Sequence, residues 1–150
     1  MHFISTPAHR QQSQALYEAA LLQWKRHPSY RSSWMTHHLV EEVHMHFRVM
    51  FRRVLARSAV KGSLDIAAFQ DAWRSLHGHH TTEDEWLFPK MVRDMPDLKA
   101  QFDFLEEDHK YLHPLRERIV RDKDGAALEK LVAFLDDHLN REEMIVVPIF

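Results

Sequence analysis

The sequence predicts an all-α fold: an antiparallel up-and-down four-helix bundle with one extra helix on its N-terminal side. Three observations carry this. Only 3 glycines occur in 150 residues, too few for the tight turns an all-β fold needs. Apolar residues recur three and four apart within helix-length segments, and no stretch alternates with the period of a strand. The breaks between segments are short, which makes consecutive helices antiparallel neighbours.

The breaks are Pro7, Pro28, Gly62, Pro96 and Gly125, with Pro89 and Pro148 close to the ends of apolar stretches. Segment one, residues 8–27, carries Leu16, Ala20, Leu21 and Trp24 at helical spacing and reads as an amphipathic arm lying on the bundle. Segment two starts at Ser32 or Ser33, runs to about Ser58, and places Val40, Phe47, Phe51 and Leu55 in one stripe. Segment three opens after Ser63 and carries Phe69, Trp73, Leu76 and Leu87. Segment four opens at Asp97 with Leu98, Phe102, Leu105, Leu112 and Val120, and Gly125 ends it or its following turn. Segment five runs through Leu128, Leu131, Phe134, Leu135, Ile145 and Ile149 to the C-terminus. The domain reading is an N-terminal arm over 1–31 and a bundle over 32–150. The tryptophans are assigned to the core, and Arg52, Arg53 and Arg57 to a solvated helix face.

Composition removes several function classes. With 20 Lys and Arg against 22 Asp and Glu the formal charge is -2, which argues against a nucleic-acid groove or a polybasic membrane patch. No apolar run approaches the roughly 18 residues of a membrane span, and Met1 to Pro7 has no secretory leader pattern, so a cytoplasmic location is expected. The absence of cysteine excludes disulfides, thiolate nucleophiles and Cys-ligated metal. A bound metal must use His and carboxylates.

Histidine is the outlier, at 13 of 150 residues. Residues four apart on a helix share a face. On that basis His109 and His113 share the stripe of Leu98, Phe102, Leu105 and Val120, while His138 and Glu142 share that of Leu131, Leu135, Ile145 and Ile149. Glu83 lies between Leu76 and Leu87 with His79 on one flank and His80 on the other; His37 and His44 lie on the face of Val40, Phe51 and Leu55. A Glu in an apolar stripe is costly unless something charged meets it. His-x3-Glu occurs at 37/41, 38/42, 79/83, 113/117 and 138/142, and such pairs are often no more than solvated helix contacts. A longer match is more telling. His79 to Pro89 and His138 to Pro148 share His, Glu at +4, an acid at +5 and Pro at +10, which reads as an internal duplication. His44 precedes the first copy and His109 the second.

This pattern resembles the hemerythrin-like family, the HHE cation-binding domain, over roughly residues 32–150. The resemblance implies a four-helix bundle holding a non-haem di-iron centre. Carried over by position, it implies His44, His79, Glu83, His109, His113, His138 and Glu142 as ligands, with the two Glu bridging two Fe ions. His37 stays open beside His44, and His80 beside His79. Glu at +4 after His138 is similar to the bacterial branch of the family, whereas its oxygen carriers place an Asp at +5. Imidazole and carboxylate suit iron, with Mn or Zn as substitutes. Seven ligands for two metals leave a position for O2, NO or peroxide, and Phe51, Phe102, Leu105, Leu135 and Ile145 are expected to keep it dry. The expected role is binding or sensing O2 or NO, or handling iron, more a binding protein than an enzyme.

Two other classes compete. Glu41-x-x-His44 and Glu106-x-x-His109 satisfy a ferritin-like di-iron scheme with Glu83 and Glu142, which implies ferroxidase or oxygenase chemistry. Repair of iron-sulfur centres is a related enzymatic role, although repair proteins of the resembled family usually carry a Cys-bearing N-terminal region. The third class is a metal-free helical interaction domain.

Overall fold

The periodic segments fold as four helical rods, seen in a computed structural model that describes residues 35–149. The arm expected over 8–27 and the boundary at 31/32 lie outside the described residues. The first rod opens as a π-helix, Thr36–His44, and continues as α1, Met45–Lys61. The second comprises α2, Ile66–Thr82, a π turn, Glu83–Leu87, and α3, Phe88–Asp94. A 3-10 turn, Pro96–Leu98, leads into the third rod, α4, Lys99–Asp122. The fourth is α5, Gly125–Val146, which tightens into a 3-10 turn at Val147–Ile149. Among the described residues there is no strand and no helix long and apolar enough to cross a membrane.

The turns are built by caps. Gly62 ends the first rod with φ 68°, a left-handed conformation that glycine adopts without a Cβ penalty. Asp65 then opens the second rod by accepting from the Ala68 amide at 3.1 Å. Of the two expectations for Gly125, that it ends the third rod or the turn after it, the first needs correction. Lys123 takes the left-handed position, φ 51°, and Asp124 caps the Ala127 amide at 3.0 Å, so Gly125 is already the first residue of α5.

The core is two apolar layers with a polar layer between them. One apolar layer packs Phe47, Phe51, Phe69, Leu76, Leu112 and Leu135, among others. The other packs Met35, Leu39, Phe88, Phe102, Leu105 and Ile145. Each rod passes through both, in alternating order. The first runs from Met35 and Leu39 past His44 to Phe47 and Phe51; the second runs back from Leu76 past Glu83 to Phe88. The third and fourth repeat the alternation, from Phe102 to Leu112 and from Leu135 to Ile145. That order is the up-and-down topology. Fully burying side chains of this size stabilises by roughly 1.5–3 kcal/mol each.

Pro89 comes just after the π turn in the second rod. Its ring has no N–H to offer and crowds the carbonyl four residues back, that of Glu85. A wider turn relieves this, and the Phe88 N–H donates to the Glu83 carbonyl, five residues earlier. Trp86, within this turn, is 73% exposed and belongs to the surface and not to the core, whereas Trp73 is buried as expected. Arg52, Arg53 and Arg57 are exposed, and Arg52 Nη2 pairs with Asp136 at 3.1 Å.

Candidate metal centre

The polar layer holds two groups of potential ligands. His44, His79, Glu83 and Glu142 offer one atom each within 4.8 Å of one another, and His80, His109 and His138 do the same. Ligands on opposite sides of one first-row cation are about 4 Å apart, so each group matches the span of one ion. All are buried except His79, which is half-buried.

The groups abut. Glu83 turns Oε1 against His79 Nε2 in the first group and sets Oε2 3.5 Å from His109 Nε2 in the second. Glu142 Oε2 lies 3.5 Å from His44 Nε2 and 3.6 Å from His138 Nε2. Both carboxylates therefore face histidines of both groups. His80 stacks on His109 with ring centroids 3.7 Å apart. Phe47 and Phe88 close the layer from either side, 5.1 Å from the His79 ring and 5.8 Å from the His109 ring. The five residues expected to form a dry shell are all buried.

A set of acids stands behind the histidines, on the side away from the layer. His44 Nδ1 meets Glu143 Oε1 at 2.9 Å, His109 Nδ1 meets Asp84 Oδ1 at 2.8 Å, and His138 Nδ1 meets Asp108 Oδ2 at 3.0 Å. Ionised carboxylates only accept, so each Nδ1 is the donor. The Nε2 atoms of His109 and His138 meet inside the layer, 3.1 Å apart. His80 Nε2 is buried with no hydrogen-bond partner, and the buried carboxylates of Glu83 and Glu142 face histidines of the layer. Nitrogen and oxygen atoms that converge in this way are the donor set of a divalent first-row metal.

The electrostatics carry the same signature. Burial pushes the Glu83 carboxyl well above its usual range, and the charge of Glu142 adds to this. Burial also opposes ionisation of Glu142, but His44 outweighs it by charge and hydrogen bonding, and Glu142 falls to about 2. Burial alone would lower His44, yet Glu142 and Glu143 raise it to about 9. His80 and His138 lie well below the usual imidazole value, chiefly because they are buried and then because other histidines surround them. Neutral imidazole is the form that binds metal.

The sequence-predicted ligands separate as follows. His44, His79, Glu83, His109, His138 and Glu142 are brought together; His113 is not. Four residues along a helix is about 6 Å, and this carries His113 out of the polar layer to the level of Trp73. There it is exposed, with its ring edge-on to Trp73 and to His77, each at 5.4 Å. His80 occupies the layer instead, so the alternatives His79 and His80 are both present. The signal was their placement on opposite flanks of Glu83, which lets one side chain serve each group. His37 is exposed and bonded to Glu41 at 2.8 Å. Of the four acids of the ferritin-like scheme, Glu83 and Glu142 lie in the layer, while Glu41 stands outside with His37 and Glu106 is half-buried beside Lys110 at 3.5 Å. Sequence reasoning missed Asp84, Asp108 and Glu143, although two of them are the acids at +5 in the repeat.

A family model, the hemerythrin HHE cation binding domain, matches residues 35–150. No curated protein and no solved structure gives a significant match. The match covers the whole bundle and both ligand groups, well over half of the chain, and with the His and Glu layer at its centre this chain belongs to the hemerythrin HHE cation-binding family.

Proposed function

We propose that the protein holds two non-haem iron ions, one on His80, His109 and His138 and the other on His44 and His79, with Glu83 and Glu142 shared between them. The observation that carries this is that each carboxylate faces histidines of both groups. Mn or Zn would fit the same donors. The role that fits best is binding or sensing O2 or NO, or handling iron. Five His and two Glu leave two ions short of full coordination, and bound iron would supply an open position for a diatomic ligand or peroxide. The residues of the chain supply the rest: Phe47, Phe88, Leu105 and Leu135 exclude water, and the acids behind the histidines hold the imidazoles in place. The bundle over 32–150 would form this unit, with 1–31 as an appended arm.

The test is metal content and an optical spectrum on iron-reconstituted protein prepared without oxygen, before and after air is admitted. About two irons per chain, with near-ultraviolet and visible bands that appear on oxygenation, is the expected result. Less than about half an equivalent of any metal, with a melting temperature indifferent to iron, would rule the reading out.

A further inference from the structure

Each copy of the repeated sequence carries a second acid directly after the Glu of His-x3-Glu, Asp84 after Glu83 and Glu143 after Glu142. We propose that these two acids are positioning residues acting crosswise: Glu143 of the second copy orients His44, which precedes the first, and Asp84 of the first copy orients His109, which precedes the second. The inference rests on the metal reading above and assigns residues that lie outside the ligand groups.

Helix geometry produces the exchange. Consecutive residues diverge by about 100°, so when the acid at +4 faces the layer the acid at +5 turns toward an adjacent rod. Glu142 faces inward, and Glu143, in the fourth rod, reaches His44 Nδ1 of the first at 2.9 Å. Glu83 faces inward, and Asp84, in the second rod, reaches His109 Nδ1 of the third at 2.8 Å. In both places the carboxylate accepts a hydrogen bond from Nδ1 and so turns Nε2 into the layer. An imidazole flipped or in the other tautomer would present a hydrogen to the metal instead of a lone pair.

The two acids differ in how firmly they are held. Glu143 is buried and gripped by Arg48, whose Nη1 donates to Oε1 at 2.7 Å and whose Nη2 donates to Oε2 at 3.2 Å; that Nη2 also donates to Asn140 Oδ1 at 2.8 Å. The Asp84 side chain is 29% exposed. Loss of Glu143 therefore disturbs packing as well as orientation, and loss of Asp84 disturbs orientation with little else.

The experiment uses the full chain as wild type, Asp84→Ala, Asp84→Asn, Glu143→Ala and Glu143→Gln. In the metal-free proteins, nitrogen-15 imidazole spectra report which Nδ1–H is protected from solvent exchange. Glu143→Ala should release the His44 signal and spare His109, and Asp84→Ala should do the reverse. Zn(II) affinity should fall about 10- to 100-fold in each Ala variant. Asp84→Asn and Glu143→Gln, whose amide oxygens still accept, should recover most of it. Ala variants that keep both protected signals and bind Zn(II) within about twofold of wild type would overturn the inference, as would loss of the histidine from the same copy. Should Glu143→Ala fail to fold, Asp84→Ala and its Asn counterpart decide the matter. A wild type that takes up no Zn(II) or iron would sink the metal reading, while the metal-free spectra would still decide the crosswise assignment.

Discussion

Arg141 grips one oxygen of Asp108 with two nitrogens, Nε at 3.0 Å and Nη2 at 2.8 Å, and that same oxygen accepts from His138 Nδ1 at 3.0 Å. Both partners are buried, and the guanidinium also lies 5.5 Å from the Phe134 ring centroid and 5.9 Å from that of Phe104. Removing one side of such a pair strands the other charge in the interior. Arg141→Met should therefore destabilise the metal-free protein by about 3 kcal/mol, and Asp108→Asn combined with Arg141→Met should cost less than the sum of the two changes. Urea denaturation of the four proteins in the cycle measures this; strict additivity would mean the contact contributes nothing specific.

On the proposed reading His80 is a ligand and His113 is not. His80→Ala should lose metal from the group it shares with His109 and His138, which reads as a fall of about one equivalent per chain. His113→Ala, at a ring packed edge-on to Trp73 outside the layer, should leave metal content unchanged. Elemental analysis after identical reconstitution separates the two.

The pH dependence has opposite signs with and without metal. His44, at about 9 in the metal-free protein, carries a proton near neutrality that an incoming metal must displace. Metal uptake should release that proton, and affinity should climb as pH rises toward about 9. Calorimetric titrations in buffers of different ionisation enthalpy detect the release; identical heats in all of them would contradict it. The metal-free fold responds differently. A raised His44 contributes stability that is complete below 6.5 and is lost as pH rises through about 9. A lowered Glu142 contributes stability that is complete above 4.5 and is lost as pH falls through about 2. From these two groups the metal-free protein is favoured most between 4.5 and 6.5, where metal affinity is already weakening.

Asp124 begins α5 by accepting from the Ala127 amide. Asp124→Ala should cost about 1 kcal/mol of stability in thermal or denaturant unfolding, with metal stoichiometry unchanged. A loss of metal along with stability would mean that the turn between the third and fourth rods also sets the height of His138 in the layer.

The bundle was legible because its stripes are strongly periodic and its breaks are few. Phe51, Leu76, Leu112 and Leu135 fall where 3.6-residue spacing puts them. Other features followed from forces that spacing does not encode. Lys123 takes the left-handed turn directly before the cap at Asp124, and Trp86, inside the π turn that precedes Pro89, lies on the surface. The same limit governed the site. Periodicity shows which face a residue occupies but not its height along the bundle, so His113 shared a face with His109 and still missed the layer. His80 needed the opposite insight, that a residue beside the stripe can reach a second group. The outer acids were visible as a repeated +5 position, yet an acid next to a ligand looks like surface charge until the adjacent rod is in place.

The polar layer is a cross-section of the chain and not a patch of it. Its hydrogen bond between His44 and Glu143 joins residues 99 positions apart, and both ligand groups draw a member from the last rod, Glu142 for one and His138 for the other. A nascent chain that has emerged only as far as Asp122 has three rods and neither group complete. On the proposed reading, metal capture would wait for the fourth rod, and a loaded centre would report that all four rods have docked.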